Sequence, residues 1–259
     1  MNKEDKDRLL FDKIALDYAK KDKVKSTRIA RKYQLMNIVK KKLFGADGLG
    51  VLVDVACGVG APATYLLNKY NKYYGIDQSF ELINQAKNFN KDLLGVKFII
   101  SNIKDLKLND LDDCMSDTVL AVGALHHMTD LNKVLNSLKN IANSGSCFLG
   151  IEPNRSNFFI QFLRWLRAKI DKSYSGDQHY FSKKELNELF ERNGFKNIQL
   201  TYQGYFSPPF AQVIIKPAWL GVFLSHLAVR LDGFLDEKMP SFLRPLSWSI
   251  IIYAEFPKI

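Results

Sequence analysis

Between Val51 and Gly60 the chain reads VLVDVACGVG, and this stretch restricts what the rest can become. A five-residue apolar run breaks abruptly into a small-residue turn containing Gly58 and Gly60. The residues from Ala61 to Leu67 then have the character of a helix start. Strand, glycine turn and helix together describe the first crossover of a nucleotide-binding α/β sheet. The glycines let the backbone come close to a ligand and let the helix pack tightly on the strand. Seventeen residues past Gly60 comes Asp77, at the end of a second apolar run, Tyr73–Ile76. An acidic residue there can bind a ribose diol.

The pattern from Val51 onward alternates strand and helix. Strands are expected at Tyr73–Ile76, Val96–Ile100, Thr118–Val122 and Cys147–Ile151, the last ending in Glu152-Pro153. A helix is expected from Ser79, and another after Thr129 or Asp130, closed by Asn143-Ser144-Gly145. Ser182-Lys183-Lys184-Glu185 fits a capping box for a helix reaching Arg192, closed by Asn193-Gly194. Strands near Phe195–Tyr202 and Trp248–Phe256 complete a Rossmann-like, doubly wound, seven-stranded and mostly parallel sheet. Ahead of it, a helix over 7–20 and a second over Ser26–Leu43, with Ser26 or Thr27 as N-cap, form a helical arm. The turn Gly45–Gly48 ends that arm. The division is therefore an N-terminal arm or lid over 1–45 and an α/β domain over 46–259, with helical insertions at about 154–180, after strand 5, and at 206–247, between the last two strands.

Charge is concentrated rather than spread. Of the net +10, residues 1–42 contribute +8 and the other 217 residues only +2. A basic arm of this kind can touch anionic lipid or nucleic acid, or can simply be a solvated helix surface. The three cysteines have no metal-like spacing and sit in or beside apolar runs, as reduced structural cysteines of a cytoplasmic protein do; no metal site is expected. The first 30 residues are too charged for a secretory signal.

Two ligands compete for the glycine turn. A dinucleotide puts a pyrophosphate on the helix N-terminus and favours the G-x-G-x-x-G spacing. Here the first glycine is missing, and Asp54 at the strand end would repel a pyrophosphate. It suits a ligand with an ammonium and a sulfonium and no phosphate, such as S-adenosylmethionine.

Val51–Gly60 resembles the first motif of class I S-adenosylmethionine-dependent methyltransferases, and further matches follow in that family's order. They are Tyr74-Gly75-Ile76-Asp77, Ser101-Asn102-Ile103, Ala124-Leu125-His126-His127, Glu152-Pro153, and Phe181-Ser182 through Gly194-Phe195. The resemblance covers roughly residues 11–205 and is nearest to the small-molecule subgroup that includes the quinone C-methyltransferases. It implies an enzyme that binds S-adenosylmethionine and releases S-adenosylhomocysteine. By position, Asp54 and the backbone of Ala56, Cys57, Gly58 and Gly60 would hold the methionine part, and Asp77 the ribose hydroxyls. Gln78, Asn102 and Ile103 would line the adenine, Gly123 would face the methionine amino group with Ala124 also binding the cofactor, and Tyr18 would close over it. Two positions depart from the pattern: Ala56 replaces a glycine, and Asn102 replaces the usual aspartate, so its contact to the adenine amino group carries no charge.

His126 and His127 are the catalytic candidates, with Glu152 beside them. Methyl transfer is an in-line displacement whose main requirement is alignment, so a base is needed only for a protonated nucleophile. The alternative is that both histidines pack under and orient their loop. Ser207-Pro208-Pro209-Phe210 superficially resembles an amino-methylating signature, but it lies far from the fourth strand and is read as a turn. No Pro-Cys nucleophile stands near that strand, which argues against cytosine C5 methylation.

The insertions point to the acceptor. In Phe158–Ile170, Phe159, Phe162, Leu163, Leu166 and Ile170 share one helical face, with Gln161 and Arg164 opposite and Arg167 flanking. That suits either a helix in a membrane interface or a cap packed on the domain. Trp219–Leu235 is apolar almost all round, so it is expected to be buried, as a substrate lid or a homodimer contact. Its apolar core of 12 residues, Ala218–Val229, is too short to span a bilayer. The expected acceptor is a small or lipid-like molecule. An RNA acceptor held by the basic arm and a cofactor-binding protein without activity are the alternatives, and nucleic acid is not the favoured partner.

Overall fold

The computed structural model describes residues 3–43, 48–170 and 178–257. The expected Gly45–Gly48 turn falls largely outside them, as do the side chains of Leu166, Arg167 and Ile170.

The core is one sheet. Its strands are β1 (Val51–Val55), β2 (Lys72–Asp77), β3 (Val96–Ile100), β4 (Ser116–Val122), β5 (Ala142–Pro153), β6 (Lys196–Gln203) and β7 (Ser249–Glu255). They lie in the order β3-β2-β1-β4-β5-β7-β6, all parallel except β7, which runs antiparallel to both neighbours. The order reverses between β1 and β4, and ligands of open α/β sheets bind outside the strand carboxyl ends at such a point. The seven-stranded, mostly parallel, doubly wound fold read from the sequence is the fold observed.

Alternation along β1 divides its side chains between two apolar layers. Val53 and Val55 join the layer of helices α5 (Leu131–Asn140) and α7 (Lys183–Arg192), where Leu135, Leu138, Leu186 and Phe190 are buried. Leu52 joins the opposite layer, formed by α2 (Lys25–Leu43), α3 (Ala61–Tyr65) and α4 (Phe80–Phe89). Leu35, Ile38 and Val39 of α2 are buried in that layer. Helix α1 (Lys3–Lys23) lies against α4, burying Ala15 and Ala19 with Val59 and Leu82.

Local signals hold where a side chain satisfies an end. Ser79 accepts from Leu82 N–H, Asp130 from Lys133 N–H, and Ser182 with Glu185 forms the reciprocal box at α7. Three expectations need correction. Helix α2 begins at Lys25, so Ser26 and Thr27 are buried inside its first turn instead of capping it. Asn143-Ser144-Gly145 does not close α5; β5 already starts at Ala142, and Asn143 Nδ2 donates to Asp117 Oδ1 at 2.8 Å. The pairing of β4 with β5 is irregular there, which lets polar residues sit within a strand.

The third correction concerns α8 (Ala218–Lys238), expected to be buried all round. Its buried stripe is Gly221, Ser225, Ala228 and Asp232, which are small or polar. Trp219, Phe223, Leu227, Leu231 and Phe234 are exposed instead. Small residues allow α8 to lie close on α2, where Ser225 Oγ donates to the Ser26 carbonyl at 2.8 Å. Asp232 accepts from the N–H groups of Tyr205, Phe206 and Ser207, so a polar residue is the one this site requires. Helix α6 (Phe158–Ile170) likewise buries Ile160 and leaves Phe159, Phe162 and Leu163 exposed.

Candidate active site

A cavity of about 1010 Å³ opens at the strand carboxyl ends, near the upper end of ordinary ligand sites. Its walls include the strand-end loops, the inner face of α1, residues 31–35 of α2, the start of α3, and the segments 160–164 and 208–214. Of the residues singled out from sequence, Tyr18, Asp54, Ala56, Cys57, Gly58, Asp77, Gln78, Asn102, Ile103, Gly123, Ala124, His126 and His127 all line it. Gly60 does not, and its role is packing. A Cβ on Gly60, at φ 68°, would lie 2.5 Å from the Phe98 ring and 2.9 Å from Asn90 Nδ2.

The β1 turn is shaped from within the backbone. Ala56, Gly58 and Gly60 all have positive φ, at 54°, 56° and 68°. A Cβ on Gly58 would meet nothing within 4 Å, so the space above this turn is left open for a ligand. Asp77 Oδ2 accepts from Gly58 N–H at 3.0 Å and Oδ1 from Ser79 N–H at 2.9 Å. The carboxylate thus ties the first two crossovers together and keeps further acceptor capacity on each oxygen. Burial pushes its pKa up, against those two donors.

Asp54 is almost fully buried and accepts from Tyr73 Oη at 2.5 Å. Burial, with the Asp77 charge adding to it and Tyr73 opposing, pushes its carboxyl up to about 7. Two buried carboxylates around an open glycine turn would repel a pyrophosphate and attract a cation. The same burial holds the Cys57 thiol well above its ordinary value, so it is an inert wall. Asn102 caps a short turn through Lys104 N–H, which uses one lone pair of its amide oxygen and leaves the other. These residues fit S-adenosylmethionine: diol acceptor, cation-attracting carboxylate, and room over the turn.

Helices α1 and α2 add an ion pair at this end that carries no local signal in the sequence. Arg31 pairs with buried Asp22 at 2.5 Å and lies 5.5 Å over the Tyr18 ring. Asp22 Oδ2 has no hydrogen-bond partner among the described residues, and both Asp22 and Arg31 line the cavity. Only the packing of α1 on α2 brings them there.

At the other end, Glu152 organises the loop after β4. Its Oε1 accepts from the N–H groups of Ala124 at 2.9 Å and Leu125 at 2.8 Å, and its Oε2 lies 2.8 Å from His126 Nδ1. With Glu152 accepting, Nδ1 carries the proton and Nε2 is the basic nitrogen. Burial lowers the His126 pKa, more than Glu152 raises it, so the ring is neutral at physiological pH. The His126 ring also lies 5.6 Å from that of Tyr180, tilted by 38°, and the Arg164 guanidinium sits over Tyr180 at 4.1 Å.

His127 has a different setting: its Nδ1 lies 3.2 Å from Asp7 of α1, and its ring meets Phe11 edge-on at 5.3 Å. Glu4 of α1 pairs with Lys104 at 2.6 Å and accepts from Thr129 N–H and Oγ1. Burial works against its charge, but the Lys104 and Thr129 donors bring its pKa below the ordinary value. Asp12 accepts from Ser79 Oγ at 2.5 Å. Four sites along α1 thus fasten it across the cavity. The turn Pro208–Ala211 is distant in sequence from the fourth strand, as expected, yet Pro208 and Ala211 reach the cavity wall.

A family model for a methyltransferase domain matches residues 47–194. A search of curated proteins by sequence finds no match. Among solved structures, the chain is similar to magnesium protoporphyrin IX methyltransferase from Synechocystis with bound SAH, at 14% identity and TM-score 0.63, covering 98% of this chain and 99% of that one. It is similar to a SAM-dependent methyltransferase from Thermotoga maritima at 17% identity and TM-score 0.62, covering 95% and 97%. A third likeness is to phosphoethanolamine N-methyltransferase 2 from Haemonchus contortus in complex with S-adenosyl-L-methionine, at 15% identity and TM-score 0.58, covering 87% of this chain and 52% of that one. These likenesses establish the fold. The family match spans more than half of the 259 residues and takes in the β1 turn, both histidines and Glu152: the chain belongs to the methyltransferase domain family and is an enzyme of that family.

Proposed function

We propose that the enzyme transfers a methyl group from S-adenosylmethionine to a small or lipid-like acceptor, working in the cytoplasm at or near a membrane surface. The observation that carries this reading is the composition of the large cavity at the strand carboxyl ends. Its β1–β3 side is the carboxylate-and-glycine wall, while its other side sets the apolar and aromatic residues Phe11, Met128, Ile160, Leu163, Tyr180 and Ile214 beside the polar group of His126, His127, Glu152 and Arg164. A cavity of this size has room for two reactants end to end.

S-adenosylmethionine supplies an electrophilic methyl group, and the chain's residues bind, align and handle the proton. Asp77 takes the ribose hydroxyls, Gln78, Asn102 and Ile103 border the adenine, and Asp54 with the backbone of Ala56–Gly58 faces the methionine part. Gly123, Ala124 and Tyr18 close the remaining sides. His126, held in one tautomer by Glu152, accepts the proton of an acceptor hydroxyl or acidic carbon. His127 fastens α1, and residues 1–45 act as a lid. The exposed apolar face of α6 rests at a membrane interface, and the acceptor class includes quinone-like molecules.

The deciding experiment is incubation with cofactor labelled in the methyl group, against separate lipid, small-molecule and RNA extracts. Label is expected in the lipid or small-molecule fraction. Label only in RNA, lost when residues 1–42 are removed, would overturn the acceptor assignment.

A further inference from the structure

Helix α8 is built inside out for a helix on the surface of a water-soluble domain. On such a helix the large apolar residues form the stripe that faces the core. Here Gly221, Ser225, Ala228 and Asp232 face inward, and Trp219, Phe223, Leu227, Leu231 and Phe234 face outward at helical spacing. Small residues inward and large apolar residues outward is the arrangement of a helix whose outer solvent is hydrocarbon. Length and composition agree and correct the expectation from the 12-residue apolar run: the whole helix, 21 residues, is long and apolar enough to cross a membrane, yet its inward side is fixed to α2 and to the 205–207 loop.

The apolar exposure is regional. Of twenty-two large apolar side chains exposed among the described residues, five belong to α6 and ten to the stretch 206–246. Both stretches border the cavity, α6 through Ile160 and Leu163, and the second through Pro208, Ala211 and Ile214. Ile214 leads directly into α8, because the Ile215 carbonyl lies against Gly221.

Charge selects the occupant. Around the outward face of α8, Lys216, Arg230, Lys238 and Arg244 are exposed, against one exposed acidic residue, Glu237. Asp232 and Asp236, the other acids of the helix, are spent on backbone N–H groups. Lys169 of α6 lies 3.8 Å over the exposed Trp165 ring, a cation and an aromatic presented together. A second copy of the same surface would bring like charges together. An anionic bilayer offers hydrocarbon for the aromatics and phosphate for the cations.

We infer that α8, together with α6, docks the enzyme on an anionic lipid bilayer with α8 lying in the interface plane, so that the cavity rim between them meets the lipid. The use of this surface to admit an acceptor rests on the lipid-like acceptor proposed above; the docking itself does not.

The test is co-sedimentation of the full chain with vesicles of phosphatidylcholine, alone or mixed with phosphatidylglycerol, alongside tryptophan emission. Binding is expected on the mixed vesicles, with a blue shift from Trp165 and Trp219, and at least tenfold weaker binding for F223D/F234D. That variant should keep its affinity for S-adenosylmethionine by calorimetry, which shows it is folded. A second variant, K216E/R230E, should weaken binding to mixed vesicles and remove their preference over the neutral ones. Absence of binding by the unaltered chain, binding that survives F223D/F234D, or a dimer in sedimentation that this variant dissociates would overturn the inference. Vesicle binding without methyl transfer to any lipid would leave docking standing and refute only the lipid acceptor. Methyl transfer to a lipid-like acceptor without vesicle binding would refute the docking and leave the acceptor reading standing.

Discussion

The two ends of the cavity are built on different plans. The end proposed for the cofactor comes mainly from consecutive strand ends: Asp54 and the turn after β1, Asp77 after β2, Asn102 after β3. Each is locked by backbone hydrogen bonds or by burial inside the sheet itself. The end proposed for the acceptor is assembled from β4, β5, α1, α6 and the 208–214 segment, which lie up to about two hundred residues apart. Its members meet through side chains: Glu152 with His126, Asp7 with His127, Glu4 with Lys104. A site made from one continuous crossover pattern is preorganised when the sheet forms. A site made from long-range side-chain contacts can change its guest by changing a few of them, without disturbing the sheet.

The largest break in that contrast is expected at His126. Replacing it with alanine should lower kcat by roughly 10²- to 10⁴-fold for an acceptor that must lose a proton, with cofactor affinity nearly unchanged. The profile of kcat in the unaltered enzyme should fall on acidification only below the ordinary imidazole range, because burial lowers this pKa. A kcat that stays level in His126→Ala would make the pair with Glu152 a structural support.

Asp77→Ala should weaken S-adenosylmethionine binding by about 10- to 100-fold, the worth of a charge-assisted acceptor, while leaving the acceptor end intact. Calorimetry measures this directly, and unchanged affinity would refute the ribose assignment.

Asp54 gives a smaller effect with a definite sign. Its folded pKa of about 7 lies above the ordinary carboxylate value, so the neutral form is favoured by folding. Its stabilising contribution is complete below about pH 4 and is lost as the pH rises through 7. A cationic ligand favours the ionised form, so cofactor affinity should strengthen between pH 6 and 8, with proton release on binding. Asp54→Asn should flatten that dependence, weaken binding at pH 8, and raise Tm at pH 8 relative to the unaltered chain. Calorimetry in buffers of differing ionisation enthalpy, and thermal melts at both pH values, check the two halves.

The smallest change is expected at Ala56. A non-glycine residue at φ 54° is strained, so Ala56→Gly should stabilise the fold by about 0.5–1 kcal/mol while removing only one methyl group from the cavity wall. Denaturant unfolding measures it.

Much of the first end was legible because its signals are local. An apolar run that stops at small residues, a carboxylate one crossover later, and serine or aspartate at a helix start each act within a few residues of themselves. Ser182 caps as read, Asp130 is the one of the two residues offered that caps, and the helix expected from Ser79 is capped by that residue. Asn143-Ser144-Gly145 misled because a polar triplet ends a helix in isolation, whereas here Asp117 on β4 supplies a partner and draws it into β5. Glu4, Asp7, Asp22 and Arg31 carried no signal, since they look like ordinary charges on basic helices until α1 is laid across the strand ends. Helix α8 misled most. A helix apolar nearly all round is expected inside, and only the packing shows that its small residues hold α2 while its large ones face outward.

The sequence by itself therefore determined the sheet, the position of its switch point and the cation-seeking character of the turn between Val51 and Gly60. These depend on periodicity, chirality and residue size, which act over short stretches of chain. The tertiary structure alone decided that Glu152 fixes the tautomer of His126, that α1 is fastened over the cavity, and that α8 shows its aromatics outward. Those outcomes depend on which distant surfaces compete for the same partner, and burial energies settle that competition only when the whole chain has folded.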